Sequence, residues 1–252
     1  TVIDRGVRAL RSTVQGRVQL DDVTASMLGP RFTVTRSEGG VFLNGEASFD
    51  ADAPLLLGKP SPWVGRSREM RTLEGVFEGC VQESLASAVL VTGPPGSGKS
   101  RLCRELLTRI QAQGNPVTIL SGRASSVAAG SPFGMIADAI RRAAGIRDGE
   151  PLDARRRKLT ARLGQRLEGA ALANVAGFLG ELIGTPFSDN LAPYLRAARD
   201  DAMLRSDATR AAWQEWIAAE CAASPVILVL EDLHWGDAAT VRLIGSRSEE
   251  RR

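Results

Sequence analysis

Apolar positions along the chain follow two spacings, and the change from one to the other organises it. Before residue 46 they suggest short extended elements. Arg17 to Leu20 alternates as a strand does, and Asp22 is placed to cap a helical turn from Val23 to Leu28. Phe32-Thr33-Val34-Thr35 and Val41-Phe42-Leu43 predict a hairpin that turns through Ser37-Glu38-Gly39-Gly40. Residues 50–63 carry Pro54, Pro60 and Pro62 without any period, which predicts a linker.

Beyond it the spacing becomes mostly helical. Met70, Leu73, Val76 and Phe77 share one face of a helix expected over 69–85, and Leu102, Leu106 and Ile110 stripe another expected over 101–113. Ala88 to Thr92 between them predicts a buried strand, and Pro116 to Leu120 the next strand. This is a βαβ unit, for which a parallel sheet is expected. From Ser131 to Ala223 the stripes are helical again, through Phe133, Ile136 and Ile140, then Leu159, Leu163 and Leu167, then Val175, Phe178, Leu179 and Leu182, then Trp213, Trp216 and Ile217. Aromatic residues at this spacing read as core packing. The run Arg155-Arg156-Arg157-Lys158 reads as the solvated face of an amphipathic helix. Pro225 leads into Val226-Ile227-Leu228-Val229-Leu230, a run suited to a fully buried strand.

Composition narrows the function classes. The 252 residues are 43% hydrophobic and 24% charged, as in an ordinary globular chain, and a net charge of +3 argues against a nucleic-acid surface. Cys80, Cys103 and Cys221 show no CxxC spacing, which argues against a zinc site or a disulfide framework and for a reducing, cytoplasmic setting. No apolar run approaches the roughly 18 residues that a membrane span needs, and no leader opens the chain, so no membrane partner is expected.

The chemistry is concentrated in two segments. Gly93-Pro94-Pro95-Gly96-Ser97-Gly98-Lys99-Ser100 fits GxxxxGK[ST] at every position, between an expected strand and an expected helix. Such glycines let the backbone turn its N–H groups inward at a helix N-terminus, where the dipole also favours an anion, so phosphate is the ligand that fits. In this reading Lys99 reaches the β- and γ-phosphates, Ser100 is a ligand of Mg²⁺, and Arg101 joins the nucleotide contacts. Val226 to Leu230 followed by Glu231-Asp232 has the form of a strand that delivers acids to the phosphate site. Glu231 is read as the metal-side acid and Asp232 as the candidate base, both within reach of the metal. His234, the only histidine, reads as structural beside Trp235.

Trp63-Val64-Gly65-Arg66-Ser67-Arg68-Glu69, the segment Gly93 to Ser100, and Leu228 to Asp237 together resemble the STAND-type AAA+ ATPase modules of bacterial signalling proteins, over about residues 63–245. The resemblance implies a three-layer α/β/α P-loop fold with a parallel sheet and a large helical insertion. It implies ATP and Mg²⁺ as ligands, nucleotide contacts from Val64, Gly65 and Arg66, and an ATP-dependent switch between an effector domain and protein partners, a nucleotide-dependent oligomer being one arrangement open to it. The usual AAA+ order of the two acids is Asp then Glu, so the inversion here leaves their roles open. Val23-Thr24-Ala25 with Arg31-Phe32 resembles the last strands of a class III cyclase-like domain, whose catalytic residues would lie upstream of Thr1. The expected organisation is an effector remnant over 1–50, a linker over 51–62 and an ATPase domain over 63–252, incomplete at its end.

In the resembled family a further strand lies between the P-loop strand and the acidic strand. With fifteen residues after Asp237, the expectation is a sheet lacking that strand, a missing lid and arginine finger, and binding without efficient turnover. The apolar pattern fades from Gly245 to Arg252, as a frameshift would make it. A non-hydrolysing scaffold linking an effector to a partner is the alternative, and a P-loop kinase is disfavoured because no acceptor pocket is recognisable between Ser125 and Ala223. No NKxD motif specifies guanine, which favours ATP over GTP.

Overall fold

The computed structural model describes residues 18–28, 32–37, 40–46, 55–56, 59–60, 65–124, 132–188 and 195–249. The chain divides into two compact units, Thr1–Gly65 and Arg66–Arg252.

In the first unit, β1 (Val18–Leu20), β2 (Phe32–Ser37) and β3 (Gly40–Glu46) form an antiparallel sheet in the order β1-β3-β2, with α1 (Asp22–Met27) between the first two in sequence. The hairpin pairs as the alternation predicts, Thr35 opposite Phe42 and Ser37 opposite Gly40, with a register shift between Thr33 and Val34. Its residues 38–39, and most of the proline-rich stretch around β4 (Leu55–Leu56) and β5 (Lys59–Pro60), lie outside the described residues. The helix cap is Asp21 and not Asp22: Asp21 Oδ1 accepts from the Thr24 N–H at 2.7 Å, leaving Asp22 to pair with Arg36 at 2.6 Å.

The second unit runs α2 (Ser67–Glu83), α3 (Lys99–Ala112), β6 (Thr118–Arg123), α4 (Gly134–Ala143), α5 (Leu152–Leu163), α6 (Gly169–Leu182), α7 (Leu195–Asp200), α8 (Ala202–Ala223), β7 (Val226–Glu231) and α9 (Ala238–Glu249). β6 and β7 pair in parallel, from Thr118 opposite Val226 to Arg123 opposite Glu231, and the helices α4 to α8 make the crossover between them. α4 lies against β6, while α8 packs on both α6 and β7. Gly122 is required by that approach, because a Cβ there would strike the Met135 carbonyl at the start of α4. The main core joins Leu120, Ile136, Ile140, Leu159, Leu163, Val175, Leu179 and Trp216.

Five further sequence expectations are corrected. Ala88 to Thr92 forms no strand among the described residues and is exposed: an apolar run becomes a strand only when another strand takes up its N–H and C=O groups. The parallel pair is therefore formed by β6 and β7 rather than across the phosphate loop. β7 is half-buried with only Val229 fully covered, instead of buried throughout, and in α3 Leu107 rather than Leu106 joins Leu102 and Ile110 in the core. The basic run is not simply a solvated face. Arg155 donates to the Gly184 carbonyl at 3.0 Å, Arg156 to Pro186 at 2.8 Å and Lys158 to Gly145 at 2.8 Å, so three of its four cations tie α5 to neighbouring backbone.

Candidate functional site

The phosphate loop takes its shape from local backbone chemistry. Pro94 opens a turn closed by the Ser97 N–H donating to the Pro94 carbonyl at 3.2 Å, and Gly96 and Gly98 adopt φ of 77° and 83°, a region that costs other residues about 1–2 kcal/mol. Gly98 is the N-cap of α3, and the Leu102 N–H donates back to its carbonyl at 2.9 Å. The N-terminus of α3, where the helix dipole favours an anion, thus lies at the end of the loop. A Cβ on Gly93 would sit 2.8 Å from Ser97 Oγ, so the loop also closes tightly at its start. Lys99 folds over it, Nζ donating to the carbonyls of Gly93 at 2.9 Å and Pro94 at 3.1 Å. Pro95 lies in the exposed turn, and Ser100 is exposed in the first turn of α3 beside the half-buried Arg101.

Arg66 meets the loop from α2. It is the N-cap of that helix, in the left-handed region at φ 55°, and its Nη2 donates to the Ser97 carbonyl. Gly65 is exposed at φ 80°, and Val64 lies outside the described residues.

The two acids stand at the end of β7. Glu231 is the last strand residue and Asp232 follows in the left-handed region at φ 58°, before the 3₁₀ turn Leu233–Trp235. Sequence reading missed what faces them. Arg123, at the end of β6, donates from Nη2 to Glu231 Oε2 at 2.5 Å and holds Nε 3.4 Å from Asp232 Oδ2. Its place was legible only as the polar end of a strand, since parallel register brings it opposite Glu231. Burial pushes the Cys103 thiol of α3 up to about 11, and the Glu231 charge adds to that rise. Cys103 lies three residues beyond Ser100 and so on the same face of α3.

Asp237 fixes the ground beneath this end. One carboxylate oxygen accepts from the Phe133 N–H at 2.9 Å and the Thr240 N–H at 2.7 Å; the other accepts from the Gly134 N–H at 3.1 Å and the Thr240 hydroxyl at 2.7 Å. It therefore caps α4 and α9 together, and holds Phe133 in its left-handed conformation at φ 59°. Burial pushes the Asp237 carboxyl up, but these hydrogen bonds outweigh it and hold the group below its usual range. His234 is exposed, with its ring 5.1 Å from that of Trp235.

Hydroxyl and carboxylate oxygens are the donors that a hard divalent ion takes. Ser100, Glu231 and Asp232 offer only hard oxygen ligands, and among the described residues no three of His, Cys, Asp and Glu gather as a cage of their own. Nor, among the described residues, is any helix long and apolar enough to cross a membrane.

A family model described as an AAA ATPase domain matches residues 62–250. No curated protein and no solved structure matches the chain. The matched stretch takes in the phosphate loop, the paired strands, both acids and the helices between them, and it covers most of the sequence, so this chain belongs to the AAA ATPase domain family.

Proposed function

We propose that the second unit binds ATP with Mg²⁺ and acts as a regulatory module of the STAND type, with slow hydrolysis coupled to a conformational switch. The observation that carries this is the loop from Gly93 to Ser100, whose positive-φ glycines and helix N-terminus form an anion cradle capped by Lys99. In this reading the backbone N–H groups hold the phosphates, and Lys99 exchanges its bonds to the Gly93 and Pro94 carbonyls for phosphate oxygens. Ser100, Glu231 and Asp232 provide oxygen ligands, and Asp232, the more exposed acid, accepts the proton of an attacking water. Bound Mg²⁺ would supply charge neutralisation of the phosphates. Val64, Gly65 and Arg66 are assigned to the adenine side, and Arg101, in the first turn of α3, joins the nucleotide contacts. Residues 1–50 would be the end of an effector domain, joined through 51–62.

Titration of a fluorescent ATP analogue with Mg²⁺ tests the reading. Saturable binding is expected, and Lys99→Ala should weaken it by about a hundredfold, the loss of two charge-assisted contacts. Equal binding by both proteins would refute the assignment. The exposed apolar run Val89 to Val91 favours a second reading, a non-hydrolysing scaffold that meets a protein partner, in which Lys99→Ala leaves function intact.

A further inference from the structure

Two buried polar atoms without partners belong to one turn and to a side chain that grips it. Gly184 follows α6 with a left-handed backbone at φ 68°, and the Thr185 N–H then donates to the Gly180 carbonyl at 2.7 Å. Successive cations of α5 hold the turn on both sides of Thr185. Arg155 Nη1 donates to the Gly184 carbonyl at 3.0 Å, and Arg156 Nε to the Pro186 carbonyl at 2.8 Å. Arg156 is otherwise satisfied, by Asp153 at 3.3 Å and by the Phe187 ring, whose centre lies 5.8 Å from the guanidinium carbon. Arg155 is not: among the described residues it pairs with no carboxylate, and its Nε is buried without a hydrogen bond. Thr185 is wholly out of solvent, and its hydroxyl is likewise without a partner.

Both atoms are destabilising as they stand, because each has left water without gaining a hydrogen bond, and a half-buried guanidinium favours a counter-charge. With Nη1 committed to Gly184, the Nε–Nη2 edge of Arg155 remains, and its parallel N–H groups match the two oxygens of a carboxylate. The Thr185 hydroxyl adds a third donor, one residue along from the carbonyl that Arg155 holds. We propose that Arg155 and Thr185 form a subsite for a single small carboxylate, bound through that edge and the hydroxyl, and that its occupation ties α5 to the end of α6. The charge count selects the class. One uncompensated guanidinium and three donors satisfy a monoanion with two oxygens, whereas a phosphate dianion keeps a charge and further lone pairs unmet. Gly184 is exposed, so the turn is open to solvent on that side. Neither residue belongs to the phosphate loop or to the acidic pair, and the proposal does not depend on the ATP reading.

The test titrates sodium acetate into the full chain, against sodium chloride at equal ionic strength, and reads the melting temperature. A saturable rise is expected. Thr185→Val should raise the half-saturating acetate concentration about fivefold, the loss of one hydrogen bond, while Thr185→Ser keeps it. Arg155→Gln should remove the acetate-dependent rise, and Arg155→Lys, which keeps the charge without the fork, should raise the half-saturating concentration about tenfold. Without acetate, Thr185→Val should melt no lower than the native chain, because it deletes an orphaned hydroxyl. Should that variant fail to fold, the two Arg155 variants carry the test. Lys99→Ala should respond to acetate as the native chain does; a rise that it removes assigns the anion to the phosphate loop and overturns the inference. No saturable rise, or an equal rise in every variant, overturns it as well. Inorganic phosphate that half-saturates below acetate through the same two residues would overturn the carboxylate assignment.

Discussion

The helical crossover between Phe133 and Ala223 and the short segment that leads into the phosphate loop are both rich in apolar residues, yet they end in opposite states. In the crossover Ile136, Leu159, Leu163, Val175, Leu179 and Trp216 are sealed in one core, whereas Val89, Leu90 and Val91 are 51%, 70% and 39% exposed. The difference is one of partners. Each helix stripe meets another helix, α6 against α5 and α8, and burial of roughly 25 cal/mol per Å² accrues collectively. The run before the loop pairs with no strand among the described residues, so its hydrophobicity finds no complementary face. The phosphate loop itself is nonetheless well formed, because it draws on glycine torsions, a proline turn and the contacts of Lys99 and Arg66. Stability in this unit is thus collective, and site geometry is local.

Substitutions sharpen that contrast. Trp216 is fully buried, edge-on to Trp213 at 5.6 Å, with Arg162 stacked 5.3 Å from its ring and its Nε1 donating to Glu220 at 3.0 Å. Trp216→Ala should cost ~3–5 kcal/mol in chemical denaturation. A loss below about 1 kcal/mol would mean the helical core is not where the stability resides.

Asp237→Ala comes next, at ~1–3 kcal/mol, since it strips the caps from two helices and leaves the Phe133 and Gly134 N–H groups without their acceptor. The same acid and Glu220 both contribute stability that acid removes. Burial pushes the Glu220 carboxyl up, and the Arg162, Arg166 and Trp216 contacts outweigh it, so that its folded value lies below the ordinary one. A depressed folded value contributes stability that is present above the unfolded carboxylate value, near ~4, and lost as pH falls through the folded one. Melts of the native chain should therefore fall on acidification below that point, and Asp237→Ala should fall less steeply.

The smallest effect belongs to the exposed run. Leu90→Ser should change stability by no more than ~0.5 kcal/mol, because 70% of the residue is already in water. A large loss in a denaturation curve would show that the segment is packed in solution, and would erase the contrast between the two regions.

Much of the site was legible along the chain because its parts are contiguous. Gly93 to Ser100 needs only its own torsions and the helix it opens, and the stripes from Phe133 to Ile217 report a packed helical body through their spacing alone. Glu231 and Asp232 were legible as the polar end of an apolar strand. Other features join residues remote in sequence, and no local period encodes them. Asp237 reaches back to Phe133, Arg123 crosses to Glu231, and the cations of residues 155, 156 and 158 find backbone carbonyls in separate turns.

By itself, then, the sequence determined the phosphate loop, the helix spacing and the acids at a strand end, since each arises from short-range torsional and periodic constraints. Which apolar run obtained a partner was decided only in the tertiary structure, and so was which cation faces the acids. β6 and β7 found each other while Ala88 to Thr92 stayed exposed, because strand pairing and burial depend on a complementary surface that no segment carries alone.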